Sequence, residues 1–259
     1  MIADRYIVGL GVLMRTDRGS RTGSAGSCFE ILSAGRSAFL LREPGERRGA
    51  VGTRAIVPPG AEYVIEGADV EVLTAFVDSD GILGRRARYE MDATACRGST
   101  AWVEAGQRLI PEDLWRHANA GDWPMAFHRL ACALDRKRRG LAHAGAKVRS
   151  AAALVEAELP DRISLAVLSA ALEVTPEQLT RLLHDEVGLS WRAFVYWLRL
   201  QRYARLVRAG ASLGEAARAI GYRRRSELMQ DWSRLFGYSE LDQAACDRLA
   251  PLSDLSSAA

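Results

Sequence analysis

The chain has 259 residues, enough for one large or two ordinary domains, and 48% of them are apolar, so there is material for packed cores. A net charge of +3 is mild, so total charge alone does not argue for a polyanionic partner. The apolar run at residues 6–14 is too short to span a bilayer, and no small-residue cleavage site follows it. It reads as a strand of a cytoplasmic protein with no membrane partner. Cys28, Cys96, Cys132 and Cys246 lie far apart without a C-x-x-C pair, as expected of isolated thiols in a reducing compartment rather than a disulfide framework or a zinc site.

Residues 1 to about 90 alternate short apolar stretches (7–14, 28–32, 38–41, 55–57 and 70–77) with Gly, Ser, Pro and charged residues. That punctuation predicts strands folded into a barrel or sandwich. Gly52, Pro58, Gly60 and Tyr63 follow the spacing of the second cupin motif, but Tyr63 stands where that motif has a histidine and Gly67 where it has asparagine. A metal-bearing site needs about three protein ligands. The histidines His117, His128, His143 and His184 all fall outside the strands, and residues 23–28 offer none. The expected fold is a degenerate, cupin-like β-barrel without metal or cofactor, whose interior is either a pocket for a small organic effector or a packed core. From about residue 90 the pattern turns helical, with a helix start at Pro111, Glu112, Asp113 and Leu114. A second helix over 123–134 is expected to turn Met125, Leu130 and Leu134 inward.

Residues 135–146 are charged and then Gly/Ala-rich, a linker composition. The expected division is 1–135 for the barrel and its helices, 136–146 for the linker, 147–243 for an all-α domain and 244–259 for a frayed tail. Within the third segment, residues 148–159 predict a first helix and residues 164–171 a second. Thr175, Pro176 and Gln178 then make a strong helix start, with Leu179, Leu182 and Leu183 inward and Gly188 at the end. Residues 190–208 predict one long helix capped by Ser190 and stopped at Gly210. Phe194, Trp197, Leu200, Ala204 and Val207 share one face, and Arg192, Arg199, Arg202, Arg205 and Arg208 lie largely elsewhere. Beyond it Ser212 and Glu215 form a capping box, Leu213, Ala216, Ala217 and Ile220 face inward, and Gly221 and Tyr222 turn the chain. A last helix buries Leu228, Trp232 and Leu235 before Gly237. Two helix-turn-helix units thus flank one basic helix, the layout of a two-headed groove reader. From 191 to 235 ten arginines stand against Glu215, Glu227 and Asp231, a charge balance suited to phosphates.

The run SLGEAARAIGY at 212–222, with the long helix before it, resembles the DNA-binding domain of the arabinose-operon regulator (AraC/XylS) family, and the likeness extends over roughly 147–243. The resemblance implies a sequence-specific transcriptional regulator acting on double-stranded DNA, by habit an activator. It also implies a cupin-like sensor for a small-molecule effector, a homodimer formed through the helices after the barrel, and a contact with RNA polymerase. Outward positions of the first reading helix are Glu177, Gln178, Thr180, Arg181 and His184. Arg181 suits guanine, Gln178 adenine and Glu177 the cytosine amino group. Their counterparts in the second are Arg224, Arg225, Ser226, Met229 and Gln230, with Arg199 and Arg202 of the long helix facing phosphates. Arg223, Arg224 and Arg225 depart from the family pattern, which suggests more phosphate affinity and less discrimination in the second unit. Two rivals stand beside this reading. An enzyme built on the barrel lacks any nucleophile–base constellation, and an interaction protein with a degenerate second reader would keep the fold without the specificity.

Overall fold

The computed structural model describes residues 6–9, 11–35, 37–67, 70–92, 98–134, 144–161, 163–237 and 249–251. Their first part is strand-rich: β1 (Tyr6–Gly9), β2 (Val12–Arg18), β3 (Arg21–Ser24), β4 (Cys28–Ala34), β5 (Phe39–Arg42), β6 (Ala50–Gly52), β7 (Arg54–Val57), β8 (Glu62–Glu66) and β9 (Glu71–Asp78). Helices α1 (Ile82–Asp92), α2 (Gly98–Leu109), α3 (Leu114–Asn119) and α4 (Trp123–Leu134) follow. The C-terminal part holds α5 (Ala146–Glu158), α6 (Leu165–Ala171), α7 (Pro176–Glu186), α8 (Trp191–Arg208), α9 (Leu213–Ala219), α10 (Arg225–Phe236) and a short β10 (Leu249–Pro251).

The strands form two sheets, ordered β10-β1-β2-β9-β4-β7 and β3-β8-β5-β6. They are not closed into one barrel, yet the arrangement is compatible with a cupin-like fold. Period-two alternation separates the faces of the large sheet. Across its ladders Leu13 and Glu30 pair with Phe76, Arg15 and Leu32 with Thr74, and Cys28 with Asp78, so these residues share one face. The small sheet packs on that face, where Tyr63 bonds Glu30 and Arg21 bonds Thr74. Helix α2 packs against β7, where Gly106 lies so close to the backbone of Ala55 that a Cβ would clash. Helix and sheet neighbours leave β4 no exposed position, although it carries the polar residues Glu30 and Ser33.

Several expectations are corrected. The run at 7–14 is not one strand. Gly11 takes a left-handed φ of 75° between β1 and β2, which pair antiparallel. Helix begins at Ile82, earlier than the composition suggested. Met125 is 39% exposed, and α4 instead buries Trp123, Ala126, Leu130, Ala131 and Leu134. Of the linker, residues 136–143 lie outside the described residues, and α5 starts at Ala146. In the tail, residues 249–251 are not frayed: they pair in parallel with β1, with Tyr6 opposite Leu249 and Val8 opposite Pro251. Residues 244–248 and 252–259 lie outside the described residues.

Two cores result. One joins both sheets to α1–α4, and the other is built from the C-terminal helices. The second also takes in Leu13, Cys28 and Phe76, so the end of the large sheet is an integral wall of the helical core.

Candidate nucleic-acid interface

Local chemistry sets the reading helices. Ser164 caps α6 by accepting from the Val167 N–H. Thr175 and Gln178 form a reciprocal capping box at the start of α7, with Pro176 at its first turn, and Ser212 and Glu215 do the same for α9. Each box satisfies two amides that the helix cannot bond internally. The Ser212 hydrogen bonds hold the Glu215 carboxyl below its usual range. Gly188, Gly210, Gly221 and Gly237 all take left-handed φ at the expected breaks. Between the units, α8 runs eighteen residues from its Ser190 cap, about 27 Å at roughly 1.5 Å per residue. Leu198, Gln201 and Tyr203 are buried on it besides the five expected apolar residues, so α8 is the hub of the helical core rather than a surface helix.

On the first unit Leu179 and Leu183 are buried and Leu182 is half-buried, leaving Glu177, Gln178, Thr180, Arg181 and His184 exposed. Leu165, Pro176, Glu177, Thr180, Arg181 and His184 line one shallow concavity. Arg181 forms no hydrogen bond or ion pair with the described residues, so its forked guanidinium is open to an acceptor. The other side chains are more committed. Gln178 accepts from the Thr175 amide at 2.9 Å, and Thr180 Oγ1 donates to the Pro176 carbonyl at 2.8 Å. Backbone and Thr175 hydrogen bonds hold the Glu177 carboxyl below its usual range, keeping it an acceptor. His184 Nε2 lies 2.7 Å from an Arg85 guanidinium nitrogen, and its Nδ1 lies 3.2 Å from Asp185 Oδ1. Arginine can only donate, so Nε2 is the acceptor and the proton sits on Nδ1.

On the second unit Arg224, Arg225, Ser226 and Gln230 are exposed, while Met229 is half-buried against the helical core. Arg224 occupies the cap position of α10 without a side-chain cap bond, so this helix starts less firmly than α7. Leu235 is only half-buried; Phe236 fills the position expected of it, at 0% exposure. Arg192 and Arg208 of α8 are exposed, and three other arginines of this helix make contacts within the protein. Arg202 donates to the Glu156 carbonyl of α5, Arg205 pairs with the Glu156 carboxylate at 2.7 Å, and Arg199 sits beside the Gly221 turn. Their first task is to hold α5 and the second turn to the hub.

The ends of both reading helices are docked on the strand-rich unit. After α7, the Gly188 carbonyl accepts from the Ile82 amide at 2.7 Å, which satisfies an orphan donor at the start of α1. A Cβ on Gly188 would collide with the Ile82 side chain. At the end of α10 the Arg234 carbonyl accepts from the Ser27 amide at 2.9 Å, and a Cβ on Gly237 would collide with the Ser24 carbonyl. Phe236 meets Phe76 edge-to-face at 5.4 Å, and Trp197 of α8 donates its indole N–H to Asp78 at 2.8 Å in a buried bond. None of these contacts had a signal in the sequence pattern, because Phe76 looks like an ordinary member of an apolar strand and Asp78 like the polar residue that ends it.

The space between the sheets, where an effector or a metal would sit, is occupied by side chains of the chain itself. Tyr63, fully buried, donates to Glu30, and Arg21 donates to Thr74 at 2.6 Å with its guanidinium 5.9 Å from the Tyr63 ring. Burial, reinforced by Glu30, pushes the Tyr63 hydroxyl far above its usual range, so it stays a donor. Among the described residues no three His, Cys, Asp or Glu side chains cluster as metal ligands. No described helix is long and apolar enough to cross a membrane.

A family model described as a helix-turn-helix domain, of the AraC type, matches residues 168–239. No curated protein sequence matches the chain. Among solved structures, ToxT from Vibrio cholerae is similar over 90% of this chain and 97% of its own, at 8% identity and a TM-score of 0.46. The C-terminal domain of AraT, a response regulator from Geobacillus stearothermophilus, is 22% identical over 37% of this chain and 80% of its own, at a TM-score of 0.32. A transcriptional regulator from Chromobacterium violaceum with an AraC-type DNA-binding domain is 21% identical over 39% of this chain and 88% of its own, at a TM-score of 0.34.

Proposed function

We propose that this chain, whose residues 168–239 form an AraC-type helix-turn-helix domain, is a transcription regulator that reads duplex DNA with two heads held on one helix. The observation that carries the reading is the pairing of exposed outward side chains on α7 and α10, the open Arg181 above all, with an eighteen-residue hub that sets their separation. Arg181 is the principal base reader, assisted by Glu177 and Thr180. Arg224, Arg225, Ser226 and Gln230 supply phosphate affinity and some base contact from the second head. The chain acts in the cytoplasm, where its DNA is.

A small-molecule effector acts through the strand-rich unit. The motive for this reading is the polar group between the sheets, in which buried Glu30, Tyr63 and Thr74 meet the half-buried Arg21. That group adjoins the docked end of α10 through Phe76, over which the Arg15 guanidinium lies at 5.6 Å. Activation, a homodimer built through α2–α4 and a contact with RNA polymerase rest on the family resemblance alone. Selection of the full chain against a random duplex pool tests the reading. Enrichment of a bipartite motif with halves about one helical turn apart is the expected result, and unenriched binding would favour the degenerate interaction protein instead.

A further inference from the structure

The first reading helix is short of positive charge. Along α7 the single Arg181 stands against Glu177, Asp185 and Glu186, and His184 lies beside the Arg85 guanidinium through Nε2. Carboxylates in a last turn are opposed by the helix dipole; Glu186 accepts from the Gly145 amide, and Asp185 is exposed beside His184. A cation from elsewhere would offset that negative charge. From the strand-rich unit, Ile82 and Arg85 of α1 reach this end of α7.

We propose that Arg85 is a DNA-contacting residue: the strand-rich unit lends it to the first reading face, where it binds a backbone phosphate beside the groove that α7 enters. The inference rests on the DNA reading proposed above. Arg85 is half-exposed and doubly anchored, by 2.7 Å to His184 Nε2 and by 2.5 Å to the Asp80 carbonyl. A guanidinium carries five N–H donors, more than those two acceptors occupy. The Ile82–Gly188 bond fixes the start of α1, so the side chain is presented from a rigid element. His184 shares its exposed surface with Thr180 and Arg181, and a group bonded to its outer nitrogen therefore sits at the edge of the reading face. Bases are met by the N-terminal part of a recognition helix. Arg85 lies at the other end, where the phosphate backbone rather than the base edges comes within reach.

The test uses the full chain and the duplex most enriched from a random pool, with dissociation constants measured across a salt series. Removing one phosphate contact shallows the slope of log affinity against log salt by about 0.9. Arg85→Ala is expected to show that change and Arg85→Lys to restore most of the slope, with the urea midpoint of both variants unmoved. A loss of affinity with the slope unchanged would make Arg85 only a support for His184, and no loss would remove it from the interface; either result overturns the proposal. If the unsubstituted chain binds without salt dependence, the DNA reading itself fails, and that failure is visible before any substitution is made.

Discussion

Phe236 is where the helical domain and the sheets share one aromatic cluster, and truncating it should expose how strongly they are joined. Its ring lies 4.5 Å from Trp232 and 6.0 Å from Trp197 within the helices, and 5.4 Å from Phe76 across the boundary. Phe236 is fully buried, so Phe236→Ala should cost about 3–5 kcal/mol, the range for emptying an aromatic core position. Much of that belongs to the helical core, where Trp232 and Trp197 pack on the ring. The boundary share is one edge-to-face pair, about 0.5–1.5 kcal/mol beyond area burial. A double-mutant cycle isolates it: Phe76→Ala, Phe236→Ala and the pair, each followed by urea unfolding with tryptophan fluorescence. A coupling of about 1 kcal/mol is expected. Additivity within about 0.5 kcal/mol would mean the rings do not meet in solution, and the docking of α10 on the sheet would have to be abandoned.

Arg181→Ala should weaken the selected duplex by about 1–3 kcal/mol and relax preference at one base pair; equal losses on selected and random DNA would remove it from base reading. Thr175→Ala should cost about 1 kcal/mol of stability through the lost capping box, checked by the urea midpoint. Tyr63→Phe leaves Glu30 buried without its hydroxyl donor and should destabilise by about 1–3 kcal/mol, whereas a neutral result would show that the polar group between the sheets is not formed. The hydrogen bond from Arg129 holds the Asp113 carboxyl below its usual range. A depressed carboxylate stabilises the fold above its unfolded pKa and loses that contribution as pH falls through the folded one. Asp113→Asn should therefore flatten the loss of stability below about pH 4, seen by thermal melts across an acid series.

What was legible in the sequence is what local chemistry decides. Thr175 with Gln178 and Ser212 with Glu215 are four-residue devices, and Gly188 and Gly237 mark stops that the structure uses as stops. Within single helices the pattern slips at Met125, which is exposed, and at Leu235, whose place goes to Phe236 because the sheet end offers that ring an aromatic partner. Gln178 shows the opposite limit, since one side chain can be a cap or a base reader and spacing favours both. Illegible were the contacts between distant segments. Arg85 on α1, Asp78 beneath Trp197 and residues 249–251 beside β1 each lie far in sequence from what they touch, and no periodicity announces such pairs.

The central claim is that two reading heads act on one face of the duplex at a separation set by α8. Hydroxyl-radical footprinting of the full chain on its selected duplex tests it most directly, before and after insertion of about five base pairs, half a helical turn, between the contacted segments. Protection over two successive major grooves, roughly 34 Å apart, is expected, with one of them lost on insertion because a helix of about 27 Å without internal Gly or Pro cannot follow the rotation. Protection confined to one groove and indifferent to the insertion would contradict the account.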